Sequence, residues 1–447
     1  MRILVCSINF TPELTGVGKY SGEMVEWLLE QGHEVRVVTA PPHYPQWKVH
    51  EGYSAWQFSR ERRSATIASI SELEVTRCPT WVPPVPRSWS RVLHLLSFSL
   101  SSWPAMLKNV FWKPDVVLLV APTLFCSPQA LCVARLSRAV AWLHVQDFEL
   151  DAAFQLKDFS SNPLRRCIEG VERVLMRSFD HASAISEKMV QRLVAKGVDE
   201  SRCVLFPNWV DTSVIYPLQH PVSLRVELGI ADDSVVALYS GSLGKKQGME
   251  LLLDVSQRMA ARPEIRFVFC VDGPSREQFA QVAKESRNVV VLPLQPMSRL
   301  NELLNIADIH LLPQLACAAD LVMPSKLTGM MASGKPVLAT AEPGTQIAEL
   351  LSQRGLVVTP GSPEAFVSGL IRLAESPELR KQLGRKAREY ATTHMDRNYV
   401  LGRFELAMRD ASGQCSGETL RESIVVCAGE IAHEEPVFVA EEANTAE

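Results

Sequence analysis

The chain has 447 residues, 47% of them hydrophobic and 21% charged, and a net charge of -4. Hydrophobic cores stop growing well below this length, so two domains are expected. The balanced composition excludes a disordered chain and a polytopic membrane protein, and the slight acidity argues against nucleic acid as a partner.

The chain opens with an apolar run from Ile3 to Ile8 and then turns polar and glycine-rich. It lacks the long apolar core and small-residue cleavage site of a secretory leader, so it predicts a first strand and a cytoplasmic protein. The loop that follows reads Thr15-Gly16-Val17-Gly18-Lys19-Tyr20 and runs into a helical pattern from Tyr20 to Gln31. Without Cβ atoms at Gly16 and Gly18, backbone amides at a helix N-terminus can approach a phosphate, although Gly-x-Gly also serves as a plain tight turn. Glu13, beside this loop, is a further candidate site residue. A strand from Val35 to Thr39 leads into Ala40-Pro41-Pro42. A nicotinamide-dinucleotide enzyme needs an acidic residue there to hold the ribose, so that rival loses ground.

Trp89 to Trp112 is rich in Leu, Phe and Trp but also holds several serines, His94 and Pro104. That content disfavours a spanning helix and leaves two readings, a helix lying on a membrane surface or a core helix of the first domain. Strands follow at Val116 to Val120 and Val140 to Val145, an alternation with helices that predicts βαβ units and a parallel sheet. His144 and Asp147 end the second of these strands. Parallel sheets present ligands at that edge, so both are candidate ligand contacts.

Phe206-Pro207-Asn208-Trp209 and Tyr216-Pro217 read as a connector, which places the first domain at 1–214 and the second at 215–409. The second domain repeats the architecture, with strands at Val235 to Tyr239, Arg266 to Val271, Val289 to Leu292, Ile309 to Leu312 and Val337 to Ala339. Its first strand also meets a glycine loop, Gly241-Ser242-Leu243-Gly244-Lys245-Lys246-Gln247-Gly248. Here Gly241 and Ser242 let a diphosphate approach, while Lys245 or Lys246 can neutralise charge that grows as a leaving group departs. Ten cysteines are scattered with no Cys-x-x-Cys pair and no His cluster at ligand spacing, so neither a disulfide framework nor a metal is expected. Arg380 to Met408 is helical in pattern, and the Ser-, Gly- and Glu-rich stretch 410–447 has the composition of a disordered tail.

Further along, Asp320-Leu321-Val322-Met323-Pro324-Ser325-Lys326 precedes Ala332-Ser333-Gly334-Lys335-Pro336-Val337. With Phe206-Pro207-Asn208 and Val271-Asp272-Gly273-Pro274, these motifs resemble the donor site of family-four retaining glycosyltransferases. Pro12 to Tyr20 together with Ala40 to Trp47 is more closely similar to the colanic acid biosynthesis fucosyltransferases.

The resemblance implies an α/β GT-B fold, two doubly wound Rossmann-like domains facing across a cleft. It also implies a nucleotide-diphosphate sugar as donor and transfer with retention, without cofactor or obligatory metal. Gly16 and Gly18 would line the diphosphate, Lys245 or, as the stronger candidate, Lys246 would clamp it, and Pro324, Ser325 and Lys326 would lie near the phosphates. Asp320 would meet the sugar hydroxyls, and Glu13, His144 and Asp147 would face the acceptor or the transferring sugar. The acceptor would be a lipid-linked oligosaccharide at the inner membrane face, and the donor GDP-fucose. This sequence departs from the family at Leu321 and Gly329, where glutamates are often found. That departure keeps a second class in view, a sugar-nucleotide-binding protein that has lost catalysis.

Overall fold

The computed structural model describes residues 1–64, 72–148, 163–219, 223–241, 248–272, 275–286, 288–314 and 323–414. They form two compact units. The first holds Met1–Pro207 and the described residues from Leu401 onward; the second holds Asn208–Val400.

In the first unit the strands are β1 (Arg2–Ser7), β2 (Glu34–Thr39), β3 (Ser59–Ser64), β4 (Glu72–Arg77), β5 (Val116–Ala121), β6 (Val140–Val145), β7 (His181–Ala184) and β8 (Cys203–Leu205). They pair in the order β3-β4-β2-β1-β5-β6-β7-β8. All neighbours are parallel except β3, which runs antiparallel to β4 at the edge. The strand β5 is buried at every position, as expected where helices cover both faces of a parallel sheet. The helices are α1 (Gly16–Glu30), α2 (Ser88–Lys108), α3 (Ser127–Ser137), α4 (Pro163–Arg177) and α5 (Glu187–Ala195). A short 3-10 turn, Asn109–Trp112, continues α2.

The second unit carries β9 (Val235–Ser240), β10 (Ile265–Cys270), β11 (Val289–Leu292), β12 (Ile309–Leu312), β13 (Val337–Thr340) and β14 (Gly355–Val358), all parallel, in the order β11-β10-β9-β12-β13-β14. Around them lie α6 (Ser223–Glu227), α7 (Met249–Arg258), α8 (Ser275–Glu285), α9 (Leu300–Ile306), α10 (Lys326–Ala332), α11 (Gln346–Leu351), α12 (Pro363–Glu375) and α13 (Pro377–His394). Tyr239, Phe267, Phe269 and Phe279 fill the core on one side of this sheet.

The chain passes between units at Pro207, earlier than the boundary expected at 214 and 215. The reason is packing: Val210 and Ile215 already belong to the apolar cluster formed with Leu327, Met331 and Ala387. The helical pattern from Arg380 to Met408 is divided in two. After α13, Asp396 accepts from the Asn398 amide (2.9 Å) and starts a new helix, α14 (Arg397–Ala411). Its later turns belong to the first unit, where Phe404 stacks on Phe206 with ring centroids 3.7 Å apart. His33 and Glu405 meet there at 2.7 Å. The stretch 410–447, expected to be a disordered tail, starts inside this helix, since Asp410 and Ala411 are still helical, and from 415 it lies outside the described residues.

Candidate functional site

Ligands of doubly wound sheets bind beyond the carboxyl ends of the strands, where the strand order reverses. In the second unit that point lies between β9 and β12, and in the first between β1 and β5.

The β9 end is Tyr239-Ser240-Gly241. Gly241 has φ of 134°, a conformation closed to residues with a Cβ, and the Lys326 side chain passes over it. Where the loop rejoins α7, Gly248 has φ of 61°, and a Cβ there would fall 2.9 Å from Pro313 Cβ. Lys326 Nζ donates to Tyr239 Oη (2.8 Å) and lies 4.0 Å from the centre of that ring. Among the described residues no carboxylate comes within ion-pair distance of it. Burial without a counter-charge pulls its ammonium down to about 7, while burial pushes the Tyr239 hydroxyl in the opposite direction. Pro324 and Ser325 form the turn that aims the lysine: the Leu327 amide donates to the Pro324 carbonyl (3.0 Å), and Thr328 Oγ1 to that of Ser325 (3.0 Å). Gly329 packs its open side toward Leu304. Ser242, Lys245, Lys246, Asp320 and Leu321 lie outside the described residues.

In the first unit, Gly16 opens α1 with φ of 58°, and no side chain caps that helix. Gly18 is buried, and its reason is different. A Cβ at this position would sit 2.6 Å from both Cβ and Oε2 of Glu13. The carboxylate of Glu13 is itself buried and tied on both oxygens. Asn9 Nδ2 donates to Oε2 (2.9 Å), and the amides of His43 and Tyr44 donate to Oε1 (2.9 Å each). Glu13 therefore holds the loop after β2 against the loop after β1, a positioning role rather than open contact with an acceptor.

That second loop carries residues the site reading passed over. Tyr44 is exposed and lies 3.7 Å from the Cβ position of Gly16. Its partial burial, then the charge of Asp147, raises its hydroxyl. Behind it His43, Trp47 and His94 form an edge-to-face cluster with centroids 4.7 to 5.8 Å apart. Burial, with His43 beside it, lowers His94 to about 4, although its Nδ1 donates to the Trp81 carbonyl (2.7 Å). The signal for this cluster was present in His43-Tyr44-Pro45-Gln46-Trp47, where aromatic side chains crowd a proline turn.

His144 is a different case. It is buried in β6 with Nδ1 3.0 Å from Ser183 Oγ, and Gln146 Nε2 donates to its Nε2 (3.0 Å). Desolvation lowers it to about 3, so it is a neutral core residue packed on Phe206. This corrects its reading as an acceptor contact: its ring faces the core, whereas Asp147, past the end of the strand, is half-buried. Among the described residues no three of His, Cys, Asp and Glu gather to hold a metal ion.

The chain matches two family descriptions in succession, the glycosyl transferase 4-like domain over residues 15–209 and glycosyl transferases group 1 over 223–390. It is 40% identical over 417 residues to the colanic acid biosynthesis glycosyl transferase WcaI of Escherichia coli K12, covering 90% of this chain and 98% of that one. Among solved structures, it is similar to sucrose-phosphate synthase from Thermosynechococcus elongatus, with TM-score 0.70, 15% identity, and coverage of 93% of this chain and 100% of that one. Anabaena HepE in complex with UDP-glucose is also similar, with TM-score 0.62 and 14% identity over 92% of this chain and 100% of that one. At those identities the structural likeness speaks for the fold.

Proposed function

The chain belongs to the family-four glycosyltransferases and has their GT-B fold, and from that premise we propose that it transfers a sugar from a nucleoside diphosphate to an acceptor in colanic-acid-like exopolysaccharide assembly. The observation that carries the proposal is Lys326, a partly buried ammonium at the β9/β12 switch point whose described hydrogen-bond partner is the neutral Tyr239 hydroxyl. A cation held there with no carboxylate beside it among the described residues is completed by an anion, and the diphosphate of a sugar nucleotide supplies one.

In this reading Lys326 and Ser325, with Lys246 or Lys245 from the glycine loop, take the charge that develops on the departing diphosphate. Pro324 shapes the turn, and Gly241 and Ser242 allow close approach. Asp320 meets the sugar hydroxyls. The departing phosphate accepts the acceptor's proton, so the sugar is delivered with retention and without a metal or a dedicated protein base. Tyr44 and Asp147 are the groups that meet the acceptor, taken to be a lipid-linked oligosaccharide at the cytoplasmic face of the inner membrane. Fucose from GDP-fucose is the donor we expect, on the motifs around Glu13 and His43 that resemble the colanic acid biosynthesis fucosyltransferases.

The test is a panel of UDP-, GDP- and dTDP-sugars scored first by thermal stabilisation and then by transfer in mass spectrometry. A donor that binds the folded chain must raise its apparent stability. Stabilisation by GDP-fucose followed by a product with retained configuration supports the full proposal, and stabilisation by no sugar nucleotide overturns it. Lys246→Ala is expected to cut turnover roughly a hundredfold. Binding of a donor without transfer to any acceptor, traced to Leu321 and Gly329, would favour the second reading of a catalytically impaired binding protein.

A further inference from the structure

No described helix is long and apolar enough to cross a membrane, yet α2 buries Leu95, Phe98, Ala105 and Met106 in the first unit and still shows apolar side chains on its outer side. Ser90, His94, Ser99 and Ser102 face inward and are buried. They are satisfied there: Ser99 Oγ donates to the Phe125 carbonyl (2.7 Å), Gln129 Nε2 to Ser102 Oγ (2.9 Å), and Ser102 Oγ to the Ser99 carbonyl (3.0 Å). The outer side shows Trp89, Leu93, Leu100 and Leu107 exposed, with Leu96 and Trp103 half-buried between them, spaced four and three residues apart so that they form one ridge. Leu100 is 71% exposed, and Phe111 in the following turn is 89% exposed. Apolar residues on a surface are ordinary one at a time, but a continuous ridge along a helix about 30 Å long marks a binding surface.

The charges near this ridge narrow the choice of partner. From Pro79 to Pro114 the chain contains Arg87, Arg91, Lys108 and Lys113 and no acidic residue. All four cations are exposed, at the two ends of the helix. A second copy laid antiparallel on the ridge would bring its basic ends against these basic ends, with no acid between them to relieve the repulsion. An anionic lipid surface meets both features, because headgroups take the cations while Trp and Leu enter the acyl boundary.

We propose that the outward ridge of α2, with its basic ends, docks the first unit on the surface of a bilayer containing anionic lipid, lying in the interface without crossing it. This surface is separate from the switch-point residues and rests on no part of the transfer chemistry.

The test uses the full chain sedimented with vesicles of phosphatidylcholine alone or with added phosphatidylglycerol, at low and high salt. The wild type is expected to partition onto the anionic vesicles and to be released by salt. Leu93→Glu with Leu100→Glu should weaken partitioning at least about tenfold, and Arg87→Gln with Lys108→Gln roughly as much. These residues are exposed, so thermal unfolding and stabilisation by a sugar nucleotide should stay as in the wild type, which separates loss of docking from loss of the donor site. Absence of wild-type binding to anionic vesicles overturns the proposal, as does equal binding by the ridge variant. A wild-type dimer that the ridge variant converts to monomers, with no vesicle binding, overturns it in favour of a contact between copies.

Discussion

The two switch points are built from the same parts and charged in opposite ways. Each has a strand that ends in a glycine loop beside a helix. In the first unit the loop closes on an acid: Glu13 is buried, and its oxygens are filled by three donors of its own chain. In the second unit the loop closes on a cation whose described hydrogen-bond partner is a phenol. A satisfied ion stiffens its surroundings, whereas an unsatisfied one is a place for a ligand. On the function proposed above, the difference assigns the donor's anion to the second unit, while the first presents the aromatic cluster of His43, Trp47 and His94.

The contrast breaks most easily at Lys326. Lys326→Met should lower kcat/KM for transfer by roughly a hundredfold or more, on the scale of a lost transition-state charge contact. The same change should stabilise the ligand-free protein at pH 6, because it removes a buried charge that is fully protonated there. A gain of about 1 kcal/mol would appear as roughly 2–4 °C in Tm. Loss of both activity and stability would make Lys326 a structural cation, like Glu13 in sign reversed. For Glu13 the opposite pattern is expected. Glu13→Ala leaves the His43 and Tyr44 amides without their acceptor, at about 1–3 kcal/mol for each buried donor, so urea unfolding should shift while nucleotide affinity stays.

A smaller effect sharpens the comparison between glycines. Gly18→Ala forces a Cβ against Glu13 and should cost about 1–3 kcal/mol in unfolding experiments. Gly16→Ala meets Tyr44 at an ordinary 3.7 Å and is strained only through its φ of 58°, at about 1 kcal/mol. Equal costs would show that the Glu13 contact relaxes freely.

Much of this contrast was open to reading in the chain. The parallel strands announce themselves as unbroken apolar runs such as Val116 to Val120, and the glycine loops and Pro324-Ser325-Lys326 stand out because few side chains permit those turns. What stayed hidden depends on contacts distant in sequence. Gly18 looks like a phosphate glycine until Glu13 is seen against it. His144 looks like a strand-end ligand until Ser183 and Gln146 close around it. The edge strand β3 reads Ser-Arg-Glu-Arg-Arg-Ser, with no apolar alternation to mark it, and is stabilised instead by pairing Arg60 and Arg62 with Glu74. The return of α14 to the first unit rests on Phe404 finding Phe206 almost two hundred positions away.

The finest test of the contrast is a proton count. Lys326 sits at about 7 when no ligand is present, well below the usual lysine value near 10.4, because burial disfavours the ammonium. At pH 8 only about a tenth of the molecules then carry the charge. A diphosphate that needs it must pull the rest into the protonated form, so nucleotide binding should take up close to one proton at pH 8 and almost none at pH 6. Calorimetry in buffers of different ionisation enthalpy reads that number directly. The uptake should disappear in Lys326→Met, and it should persist in Glu13→Gln, since Glu13 has its donors within its own unit. Uptake that survives the loss of Lys326 would move the anion site to another group and end the assignment of the unsatisfied cation to the donor.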